Sequence, residues 1–88
     1  MNDEVFESTR RMIEGGATLS EVVEYLCERL RPSLTPFNLI FTIREAVGLS
    51  VPDLWRILEL FDAEFRPIES VQHIDQVGEE LFADVRRP

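Results

Sequence analysis

The sequence contains no lysine, one cysteine and one histidine, and its nine cationic side chains are all arginine. A single cysteine, Cys27, excludes an internal disulfide and fits a reducing compartment, where it reads as a small buried hydrophobe. The lone histidine, His73, has no second histidine or cysteine at metal-ligand spacing, which excludes a zinc site of the usual kind. It also lacks a recognisable partner for acid–base work and reads as a surface or half-buried side chain. No apolar run approaches the length of a membrane span. The opening segment, MNDEVFESTRR, lacks the basic-then-apolar layout of a signal peptide, so a cytoplasmic location is expected. Strict apolar–polar alternation is missing throughout, as are internal repeats and linker-like stretches, so neither paired strands nor separate domains are expected.

Basic charge is also scarce. Nine arginines face seventeen Asp and Glu, leaving a net charge of −8. A duplex-binding protein needs a cationic footprint to displace counterions, and this chain repels phosphates overall. The phrase from Ile43 to Leu58 superficially resembles the first two helices of a helix-turn-helix repressor. Its continuation, Glu59 to Glu64, is acidic where a recognition helix would be polar and basic. An acidic surface suits solubility and recognition by basic proteins, so the expected partners are proteins, with no nucleic acid and no membrane. Gly15-Gly16 has neither the spacing nor the preceding strand of a phosphate loop. The carboxylates Glu21, Glu24, Glu28, Asp53, Glu59, Asp62 and Glu64 fall mainly on solvent faces. No enzyme is expected.

What is present is helical periodicity. Eighty-eight residues, 44% hydrophobic and 30% charged, make one small globular domain with a modest core. Asn2 and Asp3 can cap a first helix with Val5, Phe6, Thr9, Met12 and Ile13 on one face, stopped by Gly15-Gly16. Thr18 to Glu21 is a capping box that opens a second helix with Leu19, Val22, Val23, Leu26 and Leu30 inward. This helix ends before Pro32, with Arg29 and Arg31 near its negative end. Thr35-Pro36 repeats the start signal, and the apolar segment Phe37, Leu39, Ile40, Phe41, Ile43, Val47 reads as a short helix or helical turn. Gly48 fits a C-cap and Ser50 the next N-cap, with Pro52 in the first turn and Asp53 at the positive end of the dipole. Leu54, Ile57, Leu58, Phe61 and Phe65 then predict one amphipathic helix over Ser50–Phe65. Beyond Pro67, Ile68, Val71, Ile74, Val77, Leu81, Phe82 and Val85 keep helical spacing. They read as one helix, or as a short piece followed by a last helix from about Asp75, with Gly78 as a weak point. The tail Arg86-Arg87-Pro88 is expected to fray. The predicted fold is all-α, a compact bundle of four to five helices.

Trp55 and Arg56 are adjacent on the central helix and so point in different directions. Trp55 falls toward one flank of the apolar face, where it is either an exposed interface anchor or a cover for the rim of a small core. With Asp53, Glu59 and Asp62 around them, Trp55 and Arg56 are the candidate partner-docking residues.

From Thr18 onward the pattern resembles that of the acyl carrier proteins, an acidic four-helix family that bears a phosphopantetheine arm. Ser20 to Leu30 is similar to the family's first helix. Arg44-Glu45-Ala46-Val47-Gly48-Leu49-Ser50-Val51 resembles its acidic-leucine-glycine phrase leading to Asp-Ser-Leu. Leu54 through Glu64-Phe65 resembles its long second helix, and Ile74, Val77 and Leu81 the start of its last. The resemblance implies an acyl-carrier-like fold over residues 18–88, with residues 1–17 as an added helix of one compact domain. It also implies a non-enzymatic protein that presents an acyl group or docks to partner enzymes. Aligned without a gap, the phosphopantetheine serine falls on Val51, and Ser50 takes the place of the aspartate before it. A one-residue slip makes Ser50 the cofactor-binding residue but turns Arg56 toward the core. Leu49 in place of an aspartate, and Pro52, also depart from the pattern. The apolar register favours Ser50 as a cap, hence a degenerate carrier without prosthetic group. The alternative from a different class is a small acidic inhibitor or immunity-type protein that binds a basic partner.

Overall fold

A computed structural model describes residues 3–30, 35–64 and 66–86. Five helices follow in order: α1 (Asp3–Glu14), α2 (Leu19–Arg29), α3 (Pro36–Val47), α4 (Val51–Leu58) and α5 (Val71–Phe82). The protein is an all-α bundle, and its only strand-like pairing among the described residues is an isolated antiparallel bridge between Phe61 and Pro67. One apolar cluster joins all five helices, from Val5 and Ile13 through Leu19, Leu26, Leu39, Ile43, Leu54 and Ile57 to Ile74 and Phe82. The most extensive helix–helix contact among the described residues is that of α1 on α3. The first helix is thus part of the core.

Local chemistry sets each helix start. At α2 the Thr18 hydroxyl oxygen accepts from the Glu21 amide, while Glu21 Oε1 accepts from the Thr18 amide at 2.9 Å. Thr35 caps α3 through the Asn38 amide at 3.0 Å, and Ser70 caps α5 through the His73 amide at 3.2 Å. Each bond satisfies one donor that a helix N-terminus leaves orphaned. The bonds from the Thr18 amide and hydroxyl hold the Glu21 carboxyl below its ordinary value of 4.5. A carboxyl with a lowered folded-state value adds stability that is present above its unfolded value and is lost as pH falls through the folded value. Glu21→Gln should therefore be less stable than wild type at neutral pH, the gap closing on acidification. Urea titrations between about pH 7 and pH 3 check this, and a gap that widens in acid would refute it.

The segment 36–47 is a full helix of 12 residues rather than a short turn. Burial of Leu39, Thr42, Ile43 and Ala46 outweighs the weak helix propensity of its β-branched residues. Gly48 closes it at φ 73°, a left-handed conformation that suits glycine alone at no cost.

The central helix is shorter than its periodicity predicts, ending at Leu58 rather than Phe65. Its backbone tightens through Leu60 N–H to Ile57 C=O at 3.1 Å and Phe61 N–H to Leu58 C=O at 3.3 Å. Asp62 Oδ1 then accepts from the amides of Glu64 and Arg66, at 2.8 and 2.9 Å, and replaces helical partners with a side-chain-closed turn. Unwinding lets Leu60 enter the core together with Phe61, which a continued helix would prevent by turning Leu60 aside. Phe65 lies outside the described residues, as do Asn2, Arg31 and Pro32.

The last helix starts at Val71, earlier than Asp75, because Ser70 caps it. Ile68 and Val71 are exposed, although they share the helical spacing of the buried Ile74, Val77 and Leu81. Gly78 is a packing position rather than a weak point: a Cβ there would lie 2.5 Å from Leu19 Cβ. Beside it Asp75 accepts hydrogen bonds from the Ser20 amide, at 3.1 Å, and from the Ser20 hydroxyl, placing a carboxylate of α5 at the positive end of α2.

Of the tail expected to fray, Arg87 and Pro88 lie outside the described residues, while Arg86 is held by hydrogen bonds. Its Nε donates to the Ile13 carbonyl at 2.7 Å and its Nη2 to the Ala17 carbonyl at 2.5 Å. Nη1 pairs with Glu79 at 3.0 Å, and the guanidinium lies 5.6 Å from the centre of the Phe82 ring. One side chain thereby ties the last turn of α1, whose Ile13 carbonyl also accepts from the Gly16 amide, to the Ala17 carbonyl of the turn that follows.

Candidate docking surface

Helix α4 carries most of the sequence-predicted site. Leu54 and Ile57 anchor its inner face, so the opposite face is presented to solvent. Val51, Trp55 and Glu59, spaced four residues apart, line up along it. Val51 is 50% and Trp55 60% exposed, so both keep apolar surface in water. Trp55 is a surface residue with more than half of its area in water.

Arg56 leaves the stripe on the side of α5, where Nη2 pairs with Glu80 at 3.5 Å. Both side chains are about half exposed, so the pair contributes between about 0 and 1 kcal/mol and can be exchanged for an outside partner. Beneath it, Arg56, Glu59, Glu69, His73, Gln76 and Glu80 line an open cleft of about 310 Å³ between α4 and α5. Asp53 sits half exposed in the first turn of α4, with its amide directed at Ser50. The structure therefore gathers Asp53, Trp55, Arg56 and Glu59 on or beside one helix. Asp62 is set apart. Its carboxylate oxygen is turned back on the backbone of its own turn.

The Ser50 hydroxyl oxygen accepts from the Asp53 amide at 3.4 Å, a long capping bond on an exposed residue. Sequence reasoning missed Glu80 and His73 as the far wall of the cleft. No sequence signal joins them to α4, since helical spacing marks α5 positions as outward without saying which neighbour they face. Among the described residues no group of three or more His, Cys, Asp and Glu side chains is placed to hold a metal ion. None of the helices is long and apolar enough to cross a membrane, again among the described residues.

Comparison with family models, curated proteins and solved structures finds no match. What the chain does must therefore be argued from its own surface. That surface sets two exposed apolar side chains beside a cleft lined by carboxylates.

Proposed function

We propose that this chain is a non-enzymatic docking protein of the acyl-carrier type, which meets its partner protein through α4 without a prosthetic group on Ser50. The observation that carries the reading is Trp55, 60% exposed on a helix whose other face is anchored in the core. A rigid aromatic in this position supplies contact area at little conformational cost, and aromatic residues are enriched among interface hot spots. Val51 extends the apolar contact, while Asp53, Glu59 and the exchangeable Arg56–Glu80 pair supply a polar rim.

Two observations support the degenerate form of the carrier. Ile57 is fully buried while Arg56 lies at the surface, which fits the ungapped register that puts Val51 at the carrier serine. The oxygen of Ser50 already has a use as a helix cap. Incubation with a broad-specificity phosphopantetheinyl transferase and coenzyme A should leave the intact mass unchanged. A mass gain that disappears in Ser50→Ala would make the protein a working carrier instead.

The docking role has its own test. A photo-crosslinking residue in place of Glu59, one turn from Trp55 on the same face, expressed in the native host, should trap one defined protein, and the same residue at Glu7 on α1 should not. Trp55→Ala should lose that partner while unfolding within about 0.5 kcal/mol of wild type, since exposed side chains add little stability. Equal trapping from both positions would remove α4 as the docking element. The net charge of −8 favours the inhibitor reading as runner-up. Under it, the trapped protein is a basic enzyme, held through salt-sensitive contacts and inactive while bound.

A further inference from the structure

The side of the bundle formed by α2 and the start of α5 carries a second feature, separate from the α4–α5 cleft. Val23 and Cys27 on α2, Phe61 and Pro67 of the bridged turn, and Val71 of α5 line an apolar groove of about 310 Å³, with Glu24 at its edge. Phe61 is buried and Cys27 half-buried, which makes them floor, while Val71 is 58% exposed and forms a lip. Val71, turned outward at the first position of α5, keeps an apolar edge in water.

The charge beside the groove is of one sign. On α1 the carboxylates Glu7 and Glu14 are each paired with an arginine one turn away. On α2, Glu24 and Glu28 stand one turn apart as like charges, and among the described residues neither has an ion pair. The neighbouring Arg29 stacks over Tyr25, 6.0 Å from the ring centre. An apolar slot thus runs beside two like-charged carboxylates, the setting that a cationic partner would complement.

We propose that this groove is a second docking site, whose occupant is a cationic amphipathic helix of a partner protein. The occupant inserts a bulky apolar side chain between Cys27 and Val71 and sets Arg or Lys against Glu24 and Glu28. Helix-in-groove recognition has this form, with apolar anchors at helical spacing and charges outside them. The charge argues against other occupants. A second copy would bring its own −8 to the contact, and a fatty acid or anionic lipid would set its headgroup against the same carboxylates. This site stands independently of the α4 surface.

The probe is a synthetic peptide with Leu at helical spacing on one face and Arg on the other, followed by fluorescence anisotropy with the full chain. A scrambled peptide of the same composition is the control for charge alone. The amphipathic peptide should bind at least tenfold tighter than the scrambled one at physiological ionic strength. Val71→Gln, and Glu24→Gln with Glu28→Gln, should each weaken it at least fivefold with unchanged circular dichroism. Saturating peptide should also slow alkylation of Cys27, the only thiol in the chain, at least fivefold. Trp55→Ala should leave the affinity unchanged. Equal binding of the two peptides would overturn the proposal, as would insensitivity to Val71→Gln. Binding lost in Trp55→Ala alone would move the peptide to α4 and overturn this site while sparing that one. Decanoate binding, or a dimer, that Val71→Gln abolishes in the absence of peptide binding would assign the groove to an alkyl chain or to a second copy.

Discussion

Replacing Arg86 with alanine should lower the unfolding free energy by about 3 kcal/mol, and the melting temperature by on the order of 15 °C. The guanidinium donates to two main-chain carbonyls, Ile13 and Ala17, and to Glu79, with only 18% of its side chain exposed. Hydrogen bonds from charged donors are worth about 1.5–3 kcal/mol each but do not add fully, so the expected loss is set well below their sum. The exposed Glu79 contributes little of this. Most comes from leaving the part-buried Ala17 carbonyl without this donor and the Ile13 carbonyl with the Gly16 amide alone. Arg86→Lys offers one point charge in place of a planar fork and should recover about half of the loss at most. Urea unfolding monitored at Trp55 measures both variants. A loss under about 1 kcal/mol for Arg86→Ala would mean that the clamp is not made in solution.

Gly78→Ala should also destabilise, by about 2 kcal/mol, although the same change in an ordinary exposed helix would stabilise by about 1 kcal/mol. The new methyl would lie 2.5 Å from Leu19 Cβ and 3.2 Å from Leu19 N. A Cβ and a backbone nitrogen cannot swing aside as a side-chain tip can, so α2 and α5 must separate. That separation would also stretch the bonds from Ser20 to Asp75, one turn away on α5. Leu19→Ala should not rescue the variant, because the clash is with the Cβ that alanine keeps. A thermal melt showing Gly78→Ala more stable than wild type would disprove the close approach.

Helix starts are legible in this sequence because capping is a contact between residues two or three apart. Thr18 with Glu21, Thr35 with Asn38 and Ser50 with Asp53 form as their spacing predicts, and Gly48 ends α3 in the left-handed form. Inward faces are legible for the same local reason: Leu19, Val22, Val23 and Leu26 are buried together. The end of α4 is not, because it depends on whether Asp62 bonds to a turn and Leu60 finds room in the core. Those are outcomes of the whole fold. Gly78 and Arg86 illustrate the same limit. Glycine in a helix reads as weakness, and arginine near a chain end reads as solvated, until the residue across the contact is known. On the candidate surface, Trp55 is exposed as its flank position allows, and Asp53, Arg56 and Glu59 accompany it. Asp62 belongs with the turn instead, since a carboxylate two residues before an amide can serve either solvent or backbone.

The bonds of Arg86 span 73 and 69 positions along the chain, which gives them a place in time as well as in space. Closing so wide a loop costs more chain entropy than docking neighbouring helices, so these bonds are expected to form after the main folding barrier has been crossed. Arg86 then acts as a latch. Refolding of Arg86→Ala should proceed at nearly the wild-type rate, whereas unfolding should quicken by roughly a hundredfold, the kinetic equivalent of its equilibrium loss. Stopped-flow chevrons separate the two limbs. On that outcome the lifetime of the native bundle, and with it resistance to proteolysis when cleavage outpaces reclosing, would be governed by one guanidinium far along the chain from the helix it holds.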